Sequence, residues 1–147
     1  MTEIIRSLAE LSGRYDAVFC DLWGCLHNGK TAFPAAVAAL QGYRKAGGKV
    51  VLLTNAPRPM SSVIKQLDGL GAPRDCWDIV VTSGDAAQMG MLSEAVGQKV
   101  HHIGAPKDEV FFTDFPEDLA AYAATQPTIE RVDLKDATRR VCTGLAD

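Results

Sequence analysis

The chain has 147 residues, of which 47% are hydrophobic and 22% charged, with a formal net charge of −3. That is enough for one domain with a sizeable core, in a composition ordinary for a soluble globular protein. No basic patch supports a nucleic-acid or membrane-surface role, no apolar run approaches membrane-spanning length, and the start, with Glu3 and Arg6, lacks the apolar core of a signal peptide.

Residues 3–11 place Ile4, Ile5, Leu8 and Leu11 on one helical face, and Ser12-Gly13 ends that helix. An apolar run, Ala17-Val18-Phe19-Cys20, comes next, between Asp16 and Asp21. It is too short for a helix and reads as a strand buried on both faces. Pro34 opens a helix carrying Val37, Leu40 and Tyr43, which Gly47-Gly48 terminates. Lys49-Val50-Val51-Leu52-Leu53-Thr54-Asn55 is a second buried strand, ending in a hydroxyl and an amide. After the loop at Pro57 and Pro59, Ser61 or Ser62 caps a helix with Val63, Ile64, Leu67 and Leu70.

Residues 79–83 form a third buried strand, and Ser83-Gly84-Asp85 opens the next helix, through about residue 95. A fourth strand is expected over 99–103, a short helix from residue 107 or 108, and a helix over 117–124. Residues 110–115 fit a loop or a strand, 129–134 are weakly extended, and 140–144 read as a last strand. Short apolar strands alternating with helices indicate βαβ crossovers. The fold class is α/β: a three-layer, Rossmann-like core with a mostly parallel sheet and helices on both faces.

The four cysteines, Cys20, Cys25, Cys76 and Cys142, include no Cys-x-x-Cys pair, so no structural zinc site is indicated. Cys20 and Cys142 read as small core residues. Cys25 and His27 lie near Asp21, but no second cluster of ligands supports a transition-metal site there. His101, His102, Trp77 and the Phe111-Phe112 pair read as structural.

In α/β sheets ligands bind beyond the carboxyl ends of the strands. Asp21 ends the first strand and Thr54-Asn55 the second. If the two strands are parallel neighbours, those ends lie about 5 Å apart. A carboxylate beside a hydroxyl, an amide and helix N-termini suits a phosphate. The carboxylate could attack phosphorus once a cation neutralises both negative partners. Two readings of these residues stay open on this ground alone. Asp21 can cap a turn, Thr54 and Asn55 can end a strand, and Gly24 and Gly29 can permit a turn.

The stretch Asp21-Leu22-Trp23-Gly24-Cys25-Leu26-His27-Asn28-Gly29 resembles motif I of the haloacid dehalogenase superfamily, and Leu52-Leu53-Thr54-Asn55 resembles its motif II. Gly29 and the Thr82-Ser83-Gly84 strand end look like the subfamily with a large C2-type cap, which contains sugar-phosphate, nucleotide and nitrophenyl phosphate phosphatases. The resemblance covers residues 15–147, with its motifs in the first half. It implies that Asp21 is a nucleophile forming an aspartyl-phosphate and a ligand of Mg²⁺. The Trp23 backbone carbonyl would be a second ligand. Thr54 would hydrogen-bond the phosphoryl group, with Asn55 and Gly24 shaping the same pocket. The implied partner is a small phosphorylated substrate; composition and the polar start separately predict no nucleic-acid or membrane partner and a cytoplasmic location.

Two departures stand against the family pattern. Trp23 occupies the place of a second Asp that protonates the leaving oxygen, a contribution of about 10²- to 10⁴-fold. Haloacid dehalogenases carry an aromatic residue there, so carbon–halogen hydrolysis by Asp21 is the alternative, with a non-catalytic phosphate-binding domain as a third reading. The family's later Lys and acidic motif also find no match after Asn55. Lys99, Lys107 and Lys135 lie in other contexts, and Asp85 has no second acid at the expected spacing. The expectation is that residues 1–147 are the N-terminal part of a longer core domain, without its cap and C-terminal half. Such a portion should be incomplete for catalysis, bind Mg²⁺ weakly and expose apolar surface that favours homo-oligomers.

Overall fold

The computed structural model describes residues 4–125, 129–137 and 139–142. The elements run β1 (Ala17–Cys20), α1 (Pro34–Lys45), β2 (Lys49–Thr54), α2 (Met60–Gly69), β3 (Ile79–Thr82), α3 (Ser83–Leu92), β4 (Lys99–Ile103), α4 (Glu117–Ala123), β5 (Glu130–Arg131) and β6 (Arg139–Cys142). They divide into two compact units. One takes the chain to Thr54 and again over Ile64–Val81; the other takes Asn55–Val63 and the chain from Thr82 onward.

In the first unit β1 pairs in parallel with β2, Ala17 opposite Lys49 and Cys20 opposite Leu52. β3 lies on the far side of β2, giving the order β1-β2-β3. Helix α1 starts with Pro34 in its first turn, where a missing N–H costs nothing. It buries Leu40 and Tyr43, and the Tyr43 hydroxyl donates to the Tyr15 carbonyl at 2.6 Å. The ring of Tyr43 lies over Gly48, where an added Cβ would come within 2.1 Å of it. Asp78, just before β3, ties α1 to β2: it accepts from the Arg44 guanidinium at 2.9 Å and from the Val50 N–H at 2.8 Å. These bonds hold its carboxyl below the usual carboxylate range, the Arg44 contact contributing most.

Two expectations for this unit are corrected. The helix over residues 3–11 is only a 3-10 turn, Leu8–Glu10. Glu10 turns back to accept from the Arg6 and Ser7 N–H groups at 2.9 and 3.1 Å, so the chain enters this turn at Ser7. Ile4 is left 92% exposed. The strands are also not buried on both faces. Val50, Leu52 and Val80 are buried, but Phe19, Leu53 and Ile79 are exposed. The pleat sends alternate residues to opposite faces, and the described residues cover only one face of this sheet.

In the second unit β4 lies between β5 and β6 and is parallel to both. The described strands thus form two three-stranded sheets, where the alternation of elements suggested one. Met91 of α3, Val100 of β4 and Phe111 form the core of this unit, with Ala87, Phe112 and Ile129 packed against it. The ambiguous segment after Pro106 is a 3-10 helix, Pro106–Phe112. Gln88, fully buried, donates to the Phe111 and Asp114 carbonyls at 2.7 and 2.9 Å. The α/β class, with parallel strands and helices, is as the sequence indicates. The side chain of Cys142 and residues 143–144 of the expected last strand lie outside what is described. No described helix is long and apolar enough to cross a membrane.

Candidate active site

Strand β1 ends at Cys20 and delivers Asp21 into a tight loop. The Asp21 Oδ1 accepts from the Leu22 N–H at 2.8 Å and the residue is exposed. Leu22 organises the rest of the loop. Its carbonyl accepts from the N–H groups of Cys25, Leu26 and His27 at 3.3, 2.8 and 3.0 Å. Gly24 takes φ +79° and its N–H donates to the His27 carbonyl at 2.8 Å. Asn28 closes the loop, its Oδ1 accepting from the Lys30 and Thr31 N–H groups, both at 2.9 Å. All of these N–H groups are bonded within the loop, which sets the direction in which Asp21 leaves the strand.

His27 is buried at 4% exposure and its Nδ1 accepts from the Gly29 N–H at 3.1 Å. That bond requires the proton on Nε2. Burial lowers the pKa of His27 from its ordinary value, opposed by the nearby Asp21 carboxylate. His27 is a core histidine that shapes the loop, while Cys25 is exposed. The Cys20 thiol donates to the Asp21 carbonyl at 3.2 Å, and burial pushes its pKa up to about 11. It is therefore a protonated hydrogen-bond donor and not a nucleophile.

Trp23 stands out of this loop, 66% exposed, with the His27 ring against it edge-to-face at 5.8 Å. Its indole lies directly over Gly29, where a Cβ would fall 2.2 Å from Cζ3. Gly29 is therefore glycine for two reasons, the close indole and its own φ of +80°. Sequence reading identified both glycines as turn formers but not the indole seated on one of them.

Thr54 ends β2, half-buried. Because β1 and β2 are parallel and Cys20 stands opposite Leu52, Asp21 and Thr54 emerge from the same edge of the sheet. Asn55, next in the chain, belongs to the second unit and is exposed. There its carbonyl accepts from the Ser83 hydroxyl at 2.7 Å, and the Ala56 carbonyl accepts from the Gly84 N–H at 3.2 Å. Gly84 presses on the loop so closely that a Cβ would lie 2.3 Å from the Arg58 carbonyl oxygen. Asp85 completes the brace. Its N–H donates to the Thr82 hydroxyl at 2.9 Å, and its Oδ1 accepts from the Met60 N–H at 2.9 Å. The cap on α2 is therefore Asp85, not Ser61 or Ser62; Ser61 instead donates to Asp114 at 2.7 Å. This bracing of the loop after motif II by the start of α3 was not visible in the sequence. Its one trace is a glycine in the first turn of a helix.

The donor set tests the Mg²⁺ that the motif resemblance implies. The exposed Asp21 carboxylate and the Trp23 carbonyl, which accepts no hydrogen bond from a described residue, are oxygens of the kind Mg²⁺ takes. They fill only part of an octahedral shell. Among the described residues no group of three or more His, Cys, Asp or Glu could hold a metal ion.

Comparisons with known proteins agree with these motifs. No curated protein matches the chain. Among solved structures, a hydrolase of the haloacid dehalogenase-like family from Brucella suis is 37% identical, with a TM-score of 0.79 over 99% of this chain and 50% of its own. A 4-nitrophenylphosphatase from Thermotoga maritima shares the fold at 18% identity, with a TM-score of 0.60 over 90% of this chain and 46% of its own. The chain thus spans about half the length of each of these proteins. The family model described as haloacid dehalogenase-like hydrolase matches residues 18–115, from within β1 to beyond α3, and with it the Brucella suis match places this chain in the haloacid dehalogenase-like hydrolase family.

Proposed function

We propose that this chain belongs to a Mg²⁺-dependent phosphate-ester hydrolase that works through an aspartyl-phosphate on Asp21. The observation that carries the reading is the β1–β2 register, which brings Asp21 and Thr54 to one sheet edge. In it, an Asp21 oxygen attacks phosphorus and the ester oxygen leaves. Water then attacks the aspartyl-phosphate and regenerates the carboxylate. Thr54 holds the phosphoryl group through its hydroxyl, with Gly24 shaping the pocket. The Asp21 carboxylate and the Trp23 carbonyl would hold Mg²⁺, which supplies positive charge where two anionic groups meet. The Thermotoga maritima 4-nitrophenylphosphatase, alike in fold, favours an ester substrate, and a cytoplasmic setting fits this chemistry.

Trp23 limits the leaving group. Indole cannot protonate a departing alkoxide, so esters of acidic alcohols such as nitrophenol are the favoured substrates. The same feature supports a second reading, carbon–halogen hydrolysis, because halide leaves without a proton. The test is release of phosphate from 4-nitrophenyl phosphate and from simple alkyl phosphates by the full-length protein, with and without Mg²⁺. Nitrophenyl ester turnover that needs Mg²⁺ and falls by about 10³-fold or more in Asp21→Asn is expected. Equal turnover by wild type and Asp21→Asn would remove the nucleophile. Halide release from 2-haloacids without metal would select the second reading.

A further inference from the structure

The chain has two tryptophans, and they are placed in opposite ways. Trp77 is buried at 6% exposure, as a large aromatic usually is. Trp23 is 66% exposed, yet it is not a loose surface side chain. The six-membered half of its indole rests against Gly29, so close that no Cβ fits between them, and the His27 ring meets it edge-on at 5.8 Å. Gly29 is fixed in turn, by its φ of +80° and by the N–H bond it donates to Nδ1 of the buried His27. The loop thus holds an apolar, π-rich surface toward solvent beside the site of Asp21. Along the loop Asp21 is exposed, Leu22 is buried at 3% and Trp23 is exposed. The carboxylate and the indole therefore both stand out to solvent, while Leu22 anchors the chain between them. Their Cα atoms are at most about 7 Å apart. A group bonded to a phosphorus held at Asp21 comes within reach of the indole. Indole cannot give that group a proton, but it can pack on it. Flat rings favour offset-stacked or edge-to-face contact with an aromatic side chain, and tryptophan loses little freedom in making it.

We propose that Trp23 is a specificity-determining residue, whose indole is the platform for the leaving group and selects phosphate esters in which a planar aromatic ring bears the ester oxygen. The proposal rests on Asp21 receiving the phosphoryl group, and adds a requirement of shape to it. Acidity of the leaving alcohol and flatness of its ring are separate properties. Acidity governs how fast the ester bond breaks without an acid, and flatness governs how well the ester is held before it breaks. Gly29 and His27 act through the indole, as positioning residues.

The test separates shape from acidity with two phosphonates that have no leaving group, benzylphosphonate and cyclohexylmethylphosphonate. Each is titrated by calorimetry into the full-length protein with Mg²⁺. Their rings match in size, and only the first is flat. Wild type is expected to bind benzylphosphonate about fivefold or more tightly than the cyclohexyl compound. Trp23→Leu, which keeps the main-chain carbonyl, should bring that ratio to about one, and Trp23→Phe should restore part of it. Should Trp23→Leu disturb the loop, Trp23→Met, apolar and flexible, carries the same expectation. Equal binding of both compounds by wild type, or a preference that persists in Trp23→Leu and Trp23→Met, overturns this proposal and leaves the role of Asp21 standing. Binding of neither compound overturns it together with the phosphate-ester reading.

Discussion

Gly29 sits at φ +80° with the Trp23 indole over its Cα, so a methyl group there meets two penalties at once. The left-handed backbone costs an alanine roughly 1–2 kcal/mol. The indole would have to leave its place as well. Gly29→Ala is expected to lower stability by about 1–2 kcal/mol or more in urea unfolding. It should also change the emission of Trp23, measured in a Trp77→Phe background. Unchanged stability and emission would mean that the indole is not held by the loop. At this scale the sequence was readable where chemistry and geometry coincide. An apolar run ending in Asp21, then two glycines, announces a strand and a turn. The seat of the indole was not readable, because it joins residues six apart through a packing contact that obeys no periodicity.

The elements themselves were legible wherever hydrophobic period and punctuation agreed. β1, β2, α1 and α4 fall within a residue of their sequence bounds because Pro, Gly and charged residues mark their ends. The N-terminal helix failed because periodicity ignored the competing bond from Glu10 back to Ser7. Between elements, Asp78 is the most exposed to test. It serves α1 through Arg44 and β2 through Val50, and a pKa below the usual carboxylate range means that the folded state favours its charged form. That contribution is fully present above the ordinary Asp pKa of about 4 and is lost as pH falls through the lower folded value. Asp78→Asn should therefore destabilise the chain at pH 7, with the difference from wild type shrinking below about pH 4. Chemical denaturation at several pH values measures it. A difference independent of pH would assign the loss to geometry, with no part for charge.

For the whole molecule, the sequence conveyed the class of fold better than its partition. β4 reads like any buried strand, yet it pairs with β5 and β6 in a second sheet, since strand partners are chosen by long-range register that a short apolar run does not encode. The openness of Phe19 was hidden for the opposite reason. An apolar residue in a strand reports that its face is meant for cover, and does not say which stretch supplies it. The candidate metal site obeys the same logic. Asp21 offers the one side-chain carboxylate at the end of β1, beside the Trp23 carbonyl, and no described cluster of three ligands completes a shell. Mg²⁺ gives up water reluctantly and is held by charge from more than one carboxylate or from a phosphate. The 147-residue chain is therefore expected to bind Mg²⁺ with a Kd of about 10⁻³ M or weaker, by calorimetry. Asp21→Asn should remove even that binding. A phosphate analogue such as orthovanadate should tighten it, by supplying oxygens that the chain lacks. Submillimolar binding without the analogue, unaffected by Asp21→Asn, would place the ion elsewhere on the molecule and detach Asp21 from the metal.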